Sequence, residues 1–221
     1  MVVLENVEKT YHTRGSIVKA LRDISLHIEK GRFIVLCGPS GSGKTTLLMI
    51  IAAMLRPTKG RVCVNQNDLY KMSIADRARF RAQNIGFIFQ MFHLIPYLNV
   101  IENVTLAGGV AGRSSRNTAQ ARDLLRQLGL EGRVFHKPAQ LSAGEKQRVA
   151  IARAMFNRPK IILADEPTGN LDPENAASVI EHLSEFHRSG GTVILATHQL
   201  QAEKLANQVI YLRDGGIERH D

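Results

Sequence analysis

The chain has 221 residues, of which 44% are hydrophobic and 22% charged, so it can bury one sizeable core with room for a subdomain. Its longest apolar run extends only from Leu47 to Leu55, too short to cross a bilayer at about 20 residues per span. The net charge of +9 allows nucleic acid or an anionic membrane surface as a partner, although scattered basic residues also suit a solvated surface.

The N-terminus and the two cysteines indicate a cytosolic protein. Glu5, Glu8 and Lys9 interrupt the N-terminal sequence before an apolar leader can form, so no signal peptide is expected. Cys37 and Cys63 lie in separate apolar runs without metal-ligand spacing. We expect both to be small buried side chains in a reducing compartment.

Three segments predict strands that are buried on one face. Polar and apolar residues alternate at 2–7 and at 24–28, and residues 60–65 resemble them. A period of two is typical of antiparallel strands that cover a core on one side.

A phosphate-binding loop is the clearest motif of the chain. Residues 38–45 read GPSGSGKT and fill every position of the pattern G-x-x-x-x-G-K-[ST]. The run 33–37 predicts a buried parallel strand before the loop, and the apolar run 47–55, stopped by Pro57, predicts a buried helix after it. Free N–H groups and the helix dipole both favour an anion at such a junction. The flanks therefore favour a nucleoside triphosphate site over a plain Gly/Ser turn.

Three further buried strands are predicted, and polar residues follow each of them. The carboxyl ends of parallel strands meet at one edge of a sheet, where ligands of open α/β sheets bind. These strands are 85–89 followed by Gln90, 161–164 followed by Asp165 and Glu166, and 193–196 followed by Thr197 and His198.

The paired acids suggest the chemistry. Asp165 would hold Mg²⁺ directly or through water, and Glu166 would polarise a water molecule for attack on a γ-phosphate. An ordinary solvated turn would also carry two acids, but four apolar residues precede this pair in a chain that has a phosphate loop.

The region 92–157 differs from the rest and is expected to be a mostly helical insertion. Apolar residues recur there at i, i+3, i+4 and i+7, and a glycine follows the last of them. These residues are Ala121, Leu124, Leu125, Leu128 and then Gly129.

The segment 141–148 reads LSAGEKQR and has two interpretations. Ser142 and Glu145 form a capping box for a helix, which leaves Gly144 and the pair Gln147 and Arg148 unexplained. The segment also resembles the signature motif of ATP-binding-cassette (ABC) ATPases, usually L-S-G-G-[QE], with Ala143 in place of the first glycine.

The resemblance covers nearly the whole chain, with the motifs in family order. It implies an α/β phosphate-loop NTPase fold with a parallel-sheet core, an antiparallel β lobe and a helical subdomain. The nucleotide-binding core and β lobe would comprise residues 1–91 and 158–221, and the helical subdomain residues 92–157. ATP and Mg²⁺ are the implied cofactors, and ATP hydrolysis the implied activity.

The resemblance also implies roles for single residues outside the loop. Tyr11 would stack on adenine, unless it is simply a strand-end residue. Gln90 would contact Mg²⁺ or water and sense a membrane partner, a solvated strand end being the alternative. Asp172 would act in the D-loop and also cap the helix that begins at Pro173. His198 would contact the γ-phosphate, although a lone histidine is often structural.

In the loop, Lys44 would neutralise the β- and γ-phosphates, Thr45 would ligate Mg²⁺ and Thr46 would reach the α-phosphate. With one phosphate loop and one signature per chain, the resemblance implies a homodimer that encloses two ATP molecules between Lys44 of one chain and Ser142 of the other. The amide cradle would comprise Ser40, Gly41, Ser42 and Gly43, and the contacts across the dimer would come from Ser142, Gly144 and Glu145.

Residues 165–172, which read DEPTGNLD, and a long loop between Tyr11 and Ala20 resemble one branch of the family. Its members are ATPase subunits of lipoprotein-releasing, macrolide-exporting and cell-division systems. A separate membrane permease is thus the implied partner, at the cytoplasmic face of the membrane. Phe92 and Leu94 are expected to form an apolar patch for the coupling helix of the permease.

Two other functions stay open at this stage. ABC-type ATPases that act on DNA or the ribosome usually carry long coiled coils or two cassettes, and this chain has one cassette without sustained heptads. No nucleic-acid partner is therefore expected. A nucleotide-gated scaffold that hydrolyses ATP slowly would carry the same motor residues.

Overall fold

The computed structural model describes residues 1–13, 15–110, 117–198 and 200–218. The strands are β1 (Val2–Thr13), β2 (Ser16–Ile28), β3 (Phe33–Cys37), β4 (Lys59–Val64), β5 (Asn67–Asp68), β6 (Ile85–Ile88), β7 (Ile161–Asp165), β8 (Thr192–Ala196), β9 (Gln208–Arg213) and β10 (Gly216–Glu218). The helices are α1 (Lys44–Ile51), α2 (Ile74–Asn84), α3 (Val100–Val110), α4 (Thr118–Gln127), α5 (Ala143–Met155), α6 (Pro173–Arg188) and α7 (Leu200–Glu203).

A six-stranded sheet has the strand order β10-β9-β3-β8-β7-β6, and only β10 runs antiparallel to its neighbour. Every residue of β3, β6, β7 and β8 is buried. Helices cover both faces of a parallel sheet, so its strands are apolar without alternation. The four buried parallel strands predicted from the sequence are confirmed.

A second sheet is antiparallel, with the order β2-β1-β4-β5, and it confirms the predicted half-buried strands. Two of its strands are longer than predicted, because β1 and β2 form a hairpin where a long loop was expected. Tyr11 pairs with Val18 in this hairpin. Ile17 and Val18 are both exposed there, so no burial pattern marks the extension.

The helix after the phosphate loop ends earlier than its composition predicts. α1 stops at Ile51, although the apolar run continues to Leu55. Ala53 has a left-handed φ of 58° and Met54 is exposed, so the chain has already left the helix. The early end of α1 could not be predicted, because composition does not indicate that an alanine adopts a left-handed φ.

The sequence analysis missed α2. None of its residues is buried, so it lacks the apolar periodicity by which helices are found. Its one signal is the N-cap, where the Ser73 side chain accepts a hydrogen bond from the Asp76 N–H at 3.1 Å.

The helical character of the region 92–157 is confirmed among its described residues, which include α3, α4 and α5. In α4, Ala121 and Leu125 are buried, and Gly129 follows with a φ of 67°. The apolar residues of these helices share one core with β3, β7 and β8. The helical segment is therefore packed directly on the parallel sheet.

A buried asparagine organises the turn between β6 and α3. The side-chain oxygen of Asn103 accepts a hydrogen bond from the Ile95 N–H at 2.7 Å. Its amide nitrogen donates to the carbonyls of Ile95, Leu98 and Asn99 at 3.0–3.1 Å. One side chain thus replaces the backbone partners that an irregular segment lacks.

Asn103→Ala should lower the free energy of unfolding by about 2–4 kcal/mol, because the partly buried Ile95 N–H and Leu98 carbonyl lose their described partner. For a chain of this size the melting temperature should fall by roughly 5–15 °C. Asn67→Ala is the control, since it removes one exposed hydrogen bond, to the Asn65 carbonyl. Equal melting shifts for the two variants in thermal denaturation would contradict this account.

Candidate functional site

The phosphate loop and three strand ends line one cavity of about 460 Å³. The loop residues 38–46 form one wall, and Gln90, Glu166 and His198 come from the ends of β6, β7 and β8. The sequence analysis placed these residues on separate strands, and the sheet brings them together. Ala20 of β2 also lines the cavity.

The loop geometry requires glycine at the start of α1. Gly43 has a φ of 107°, and a Cβ at this position would lie 2.6 Å from the Ala20 carbonyl oxygen. The Ala20 contact was missed because it involves only backbone, and no residue type signals it. The loop also fits an anionic ligand, since the buried Ser42 Oγ has no hydrogen-bond partner among the described residues.

Lys44 folds back over the loop and is only 8% exposed. Its Nζ donates to the carbonyls of Gly38 at 2.7 Å and Pro39 at 3.1 Å. The same Nζ lies 3.9 Å from Glu166 Oε1. A positive charge is thus fixed at the cavity wall formed by the loop, where it favours an anionic ligand.

The two acids at the end of β7 have different surroundings. Asp165 Oδ1 accepts a hydrogen bond from Thr45 Oγ1 at 3.0 Å. Burial raises the pKa of Asp165, and the Thr45 hydrogen bond opposes that rise. Glu166 has a left-handed φ of 45°, and its Oε2 lies 3.0 Å from His198 Nδ1. The carboxylate of Glu166 therefore lies between a lysine and a histidine.

The oxygen ligands in the cavity suit Mg²⁺ better than a metal that is coordinated by protein side chains alone. Among the described residues, no group of three or more His, Cys, Asp or Glu side chains could hold a metal. Thr45 and Asp165 offer two adjacent oxygens, and Mg²⁺ usually takes one or two protein ligands together with phosphates and water.

Gln90 is exposed at the end of β6 and lies against the loop that follows Glu166. A Cβ on Gly169 would come within 3.1 Å of Gln90 Nε2. The side-chain amide thus spans from the cavity to the segment after the two acids.

The signature segment lies away from the cavity of its own chain. Ser142 caps α5, where its Oγ accepts from the Glu145 N–H at 3.2 Å. Glu145 Oε2 accepts from the Ser142 N–H at 2.8 Å, and its Oε1 pairs with Arg133 Nε at 2.8 Å. Within the described chain, Ser142, Gly144 and Glu145 do not line the 460 Å³ cavity.

Packing explains two signature residues that capping leaves unexplained. A Cβ on Gly144 would lie 2.0 Å from Asn175 Oδ1, and Arg148 Nη1 donates to the same oxygen at 2.9 Å. Asn175 is held in turn by Asp172, which caps α6 and accepts from the Asn175 N–H at 2.9 Å. The predicted capping role of Asp172 is confirmed, and these hydrogen bonds lower its pKa.

Tyr11 and Cys37 are not among the described residues that line the cavity. Tyr11 is 38% exposed in β1, and the Lys9 ammonium lies 5.1 Å from its ring centroid. Cys37, directly before the loop, is buried and its Sγ donates to Glu203 Oε1 at 3.2 Å. Burial and this hydrogen bond raise the pKa of the Cys37 thiol to about 12.

The comparisons with known proteins show the family of this chain. The ABC transporter family model matches residues 21–169. The chain belongs to the ABC transporter family. It is 42% identical to a lipoprotein-releasing system ATP-binding protein, LolD 2, of Caulobacter vibrioides, over 99% of this chain and 96% of that one. It is 39% identical to the macrolide export ATP-binding/permease protein MacB of Bartonella henselae, over 98% of this chain but 33% of that one.

A solved structure agrees as well. The ATP-binding cassette MJ0796 of Methanocaldococcus jannaschii, a dimer in a post-hydrolysis state bound to ADP and Pi, superposes with a TM-score of 0.93. It is 39% identical to this chain, and the alignment covers 100% of this chain and 98% of that one. The α/β ABC cassette fold is confirmed, and the chain is an ATP-binding and ATP-hydrolysing ABC subunit.

Gly43→Ala should lower the melting temperature in the absence of nucleotide by roughly 4–12 °C, because strain and a backbone clash together cost about 2–3 kcal/mol. Gly41→Ala is the matched control. Gly41 also has a positive φ, 79°, but its Cβ would enter open space. A Gly41→Ala variant that melts as low as Gly43→Ala would show that contact with Ala20 does not constrain the loop.

Proposed function

We propose that the chain is the motor subunit of a transport complex, closing as a homodimer around two ATP molecules to drive a separate membrane permease. One observation carries this proposal. The phosphate loop, Glu166 and His198 line one cavity, whereas the described contacts of Ser142 lie elsewhere in the chain. A nucleotide site that uses both the phosphate-loop cavity and Ser142 therefore needs a second copy of the chain.

In this proposal the loop binds the phosphates. The Lys44 ammonium pairs with the β- and γ-phosphates, and Thr46 reaches the α-phosphate. The N–H groups of Ser40, Gly41, Ser42 and Gly43 supply the cradle, and the unpartnered Ser42 Oγ is available to the ligand.

Thr45, Asp165 and Gln90 would hold Mg²⁺, which supplies positive charge against the phosphate oxygens when bound. The Thr45–Asp165 hydrogen bond already places two of these oxygens side by side. Gln90 stands at the outer edge of the cavity, where it contacts the segment after Glu166.

Glu166 would orient the attacking water and accept its proton at a carboxylate oxygen. His198, with Nδ1 3.0 Å from that carboxylate, would hold the γ-phosphate with its imidazole. Lys44 Nζ lies 3.9 Å from Oε1 of the same carboxylate, so Glu166 stands between the lysine and the histidine.

The remaining residues would contact the nucleotide of the partner subunit or stack on adenine. Ser142, Gly144 and Glu145 would contact the nucleotide of the partner subunit, and the Asp172 region would line the same interface. Tyr11 would stack on adenine, since its exposed ring lies on the hairpin that contains Ala20.

A groove beside the parallel sheet is the proposed docking site of the permease. We call it the coupling groove; its volume is about 440 Å³, and Phe89, His93, Ile95 and Leu106 line it. The expected patch residues Phe92 and Leu94 are not among the described lining residues of this groove, although His93 and Ile95 beside them are, and Leu94 is partly buried against the main core. Phe92 and Leu94 remain the proposed patch at the edge of the groove.

Relatives support the proposed partner and location. In the macrolide export relative, ATP-binding and permease functions are named for one longer chain. In this chain, no helix of the described residues is long and apolar enough to cross a membrane. We therefore propose peripheral binding at the cytoplasmic face, with residues 92–157 as the helical subdomain that contacts the permease and without a nucleic-acid partner.

Glu166→Gln should trap the closed dimer, because it keeps the size and hydrogen bonds of the side chain but removes the base. We expect turnover to fall by roughly two to four orders of magnitude while ATP binding survives. Size-exclusion chromatography should show a dimer with ATP and a monomer with ADP.

Glu174→Gln, the same change at an exposed acid of α6, should leave turnover and oligomeric state unaltered. A Glu166→Gln protein that stays monomeric in ATP and hydrolyses it at a near wild-type rate would contradict both the role of Glu166 as general base and the ATP-bound dimer.

Ser142→Arg should abolish hydrolysis while the monomer still binds ATP, because the signature acts on the nucleotide of the partner. Lys44→Ala should lose both ATP affinity and turnover. A mixture of the two variants should regain at most one competent site per heterodimer. Normal hydrolysis by Ser142→Arg alone would mean that the segment only caps α5.

A further inference from the structure

The coupling groove contains two positive charges and no negative one. Arg81 of α2 and Arg153 of α5 both line it, and no Asp or Glu is among its described lining residues. The rest of the lining is largely apolar, with Phe87, Phe89 and Leu106 as its large side chains. The groove is therefore both hydrophobic and cationic.

In the described part of the chain, both guanidinium groups donate to backbone carbonyls. Arg153 donates to the carbonyls of His93 at 2.5 Å and Phe92 at 2.7 Å. Arg81 donates to the Ala53 carbonyl at 3.0 Å. No carboxylate of the described residues lies within ion-pair distance of either group, whereas seven other arginines have one. Those seven are Arg32, Arg61, Arg79, Arg126, Arg133, Arg188 and Arg213.

An unpaired charge in a partly buried site is costly, since carbonyl dipoles replace only part of its hydration. Burial accordingly lowers the pKa of both Arg81 and Arg153. The cost is removed when a partner brings a carboxylate to the groove, and a planar guanidinium binds a carboxylate through two hydrogen bonds.

Asn157 at the groove also has one side-chain atom without a described hydrogen-bond partner. Asn157 lines it and is 5% exposed; its Nδ2 donates to the carbonyls of Ala82 and Ala107 at 2.9 and 2.7 Å. Its Oδ1 is buried without a hydrogen-bond partner among the described residues. The groove wall thus contains a second polar group whose burial is incompletely offset by described hydrogen bonds.

We propose that the coupling groove binds an apolar cytoplasmic segment of the permease that carries one Asp or Glu, and that this carboxylate pairs with Arg153 and Arg81. The inference rests on the proposed function, because it takes the partner to be a membrane permease. It adds the chemistry by which the partner is selected. Apolar contacts bury surface between the segment and the groove, and the carboxylate fixes the position of the segment along the groove.

The partner segment can be identified by photocrosslinking. Leu106 lines the groove and is 50% exposed, so p-benzoylphenylalanine in its place would contact whatever docks there. The affinity-tagged full chain, expressed in its own cells, is irradiated and the crosslinked peptide is sequenced by mass spectrometry. We expect a cytoplasmic peptide of an integral membrane protein with an Asp or Glu within about two helical turns of the crosslink.

The charge requirement is then measured on the purified complex. Arg81→Gln should weaken binding to the permease in detergent by at least about tenfold, because it leaves the carboxylate unpaired. Arg79→Gln, on the same helix but paired with Asp76 outside the groove lining, should change affinity less than about twofold. Changing the acid of the permease to its amide should cost about as much as Arg81→Gln, and the two losses should not add.

Arg153→Lys provides an independent variant, since it keeps the charge but removes the planar fork. It should weaken binding less than Arg153→Gln. Basal ATPase activity and melting temperature, measured on each isolated variant, separate loss of docking from loss of folding.

The outcomes distinguish the two proposals. A crosslinked permease segment without an acid, or an amide variant that binds normally, would overturn the carboxylate inference and leave the transport function standing. Equal weakening by Arg79→Gln and Arg81→Gln would also overturn it, since a diffuse attraction between the charged surfaces of the two proteins predicts that result. A crosslink to a second copy of this chain, or to no membrane protein, would overturn both.

Discussion

The contact between the phosphate loop and β2 is the constraint on which the site depends. The Ala20 carbonyl lies so close to Gly43 that no side chain fits between them. The Gly215 N–H donates to the Ser42 carbonyl at 3.1 Å, and the Gly215 carbonyl accepts from the Arg22 N–H at 2.7 Å. The loop is thus held between the antiparallel sheet and the β9–β10 hairpin before any ligand arrives, so little ordering entropy remains to oppose binding.

Much of the fold could be predicted from the sequence, because burial leaves a pattern. The parallel strands are buried on both faces and are apolar throughout, so their ends, and with them Gln90, Asp165 and His198, could be placed at one sheet edge. Segments without such a pattern could not be predicted. No residue of α2 is fully buried, Ile17 and Val18 of the first hairpin are exposed, and the Ala20 contact uses a carbonyl that every residue possesses.

The signature segment and the D-loop residue are parts of one structure. Asn175 accepts from Arg148 of α5 and is held by Asp172 at the start of α6, while Gly144 leaves the space that its side chain occupies. A displacement of α5 therefore reaches Asp172 through rigid contacts. Two motifs that sequence analysis treats separately should move together, which suits residues proposed to meet the same partner subunit.

The thiol of Cys37 has a consequence for how the enzyme tolerates oxidants. Oxidation begins at the thiolate, and a pKa of about 12 leaves only on the order of one thiol in a hundred thousand ionised at pH 7. The sulfur is also buried and donates its proton to Glu203. A cysteine adjoining the nucleotide loop is thereby held as the unreactive thiol, so oxidation or disulfide exchange at this sulfur is slow.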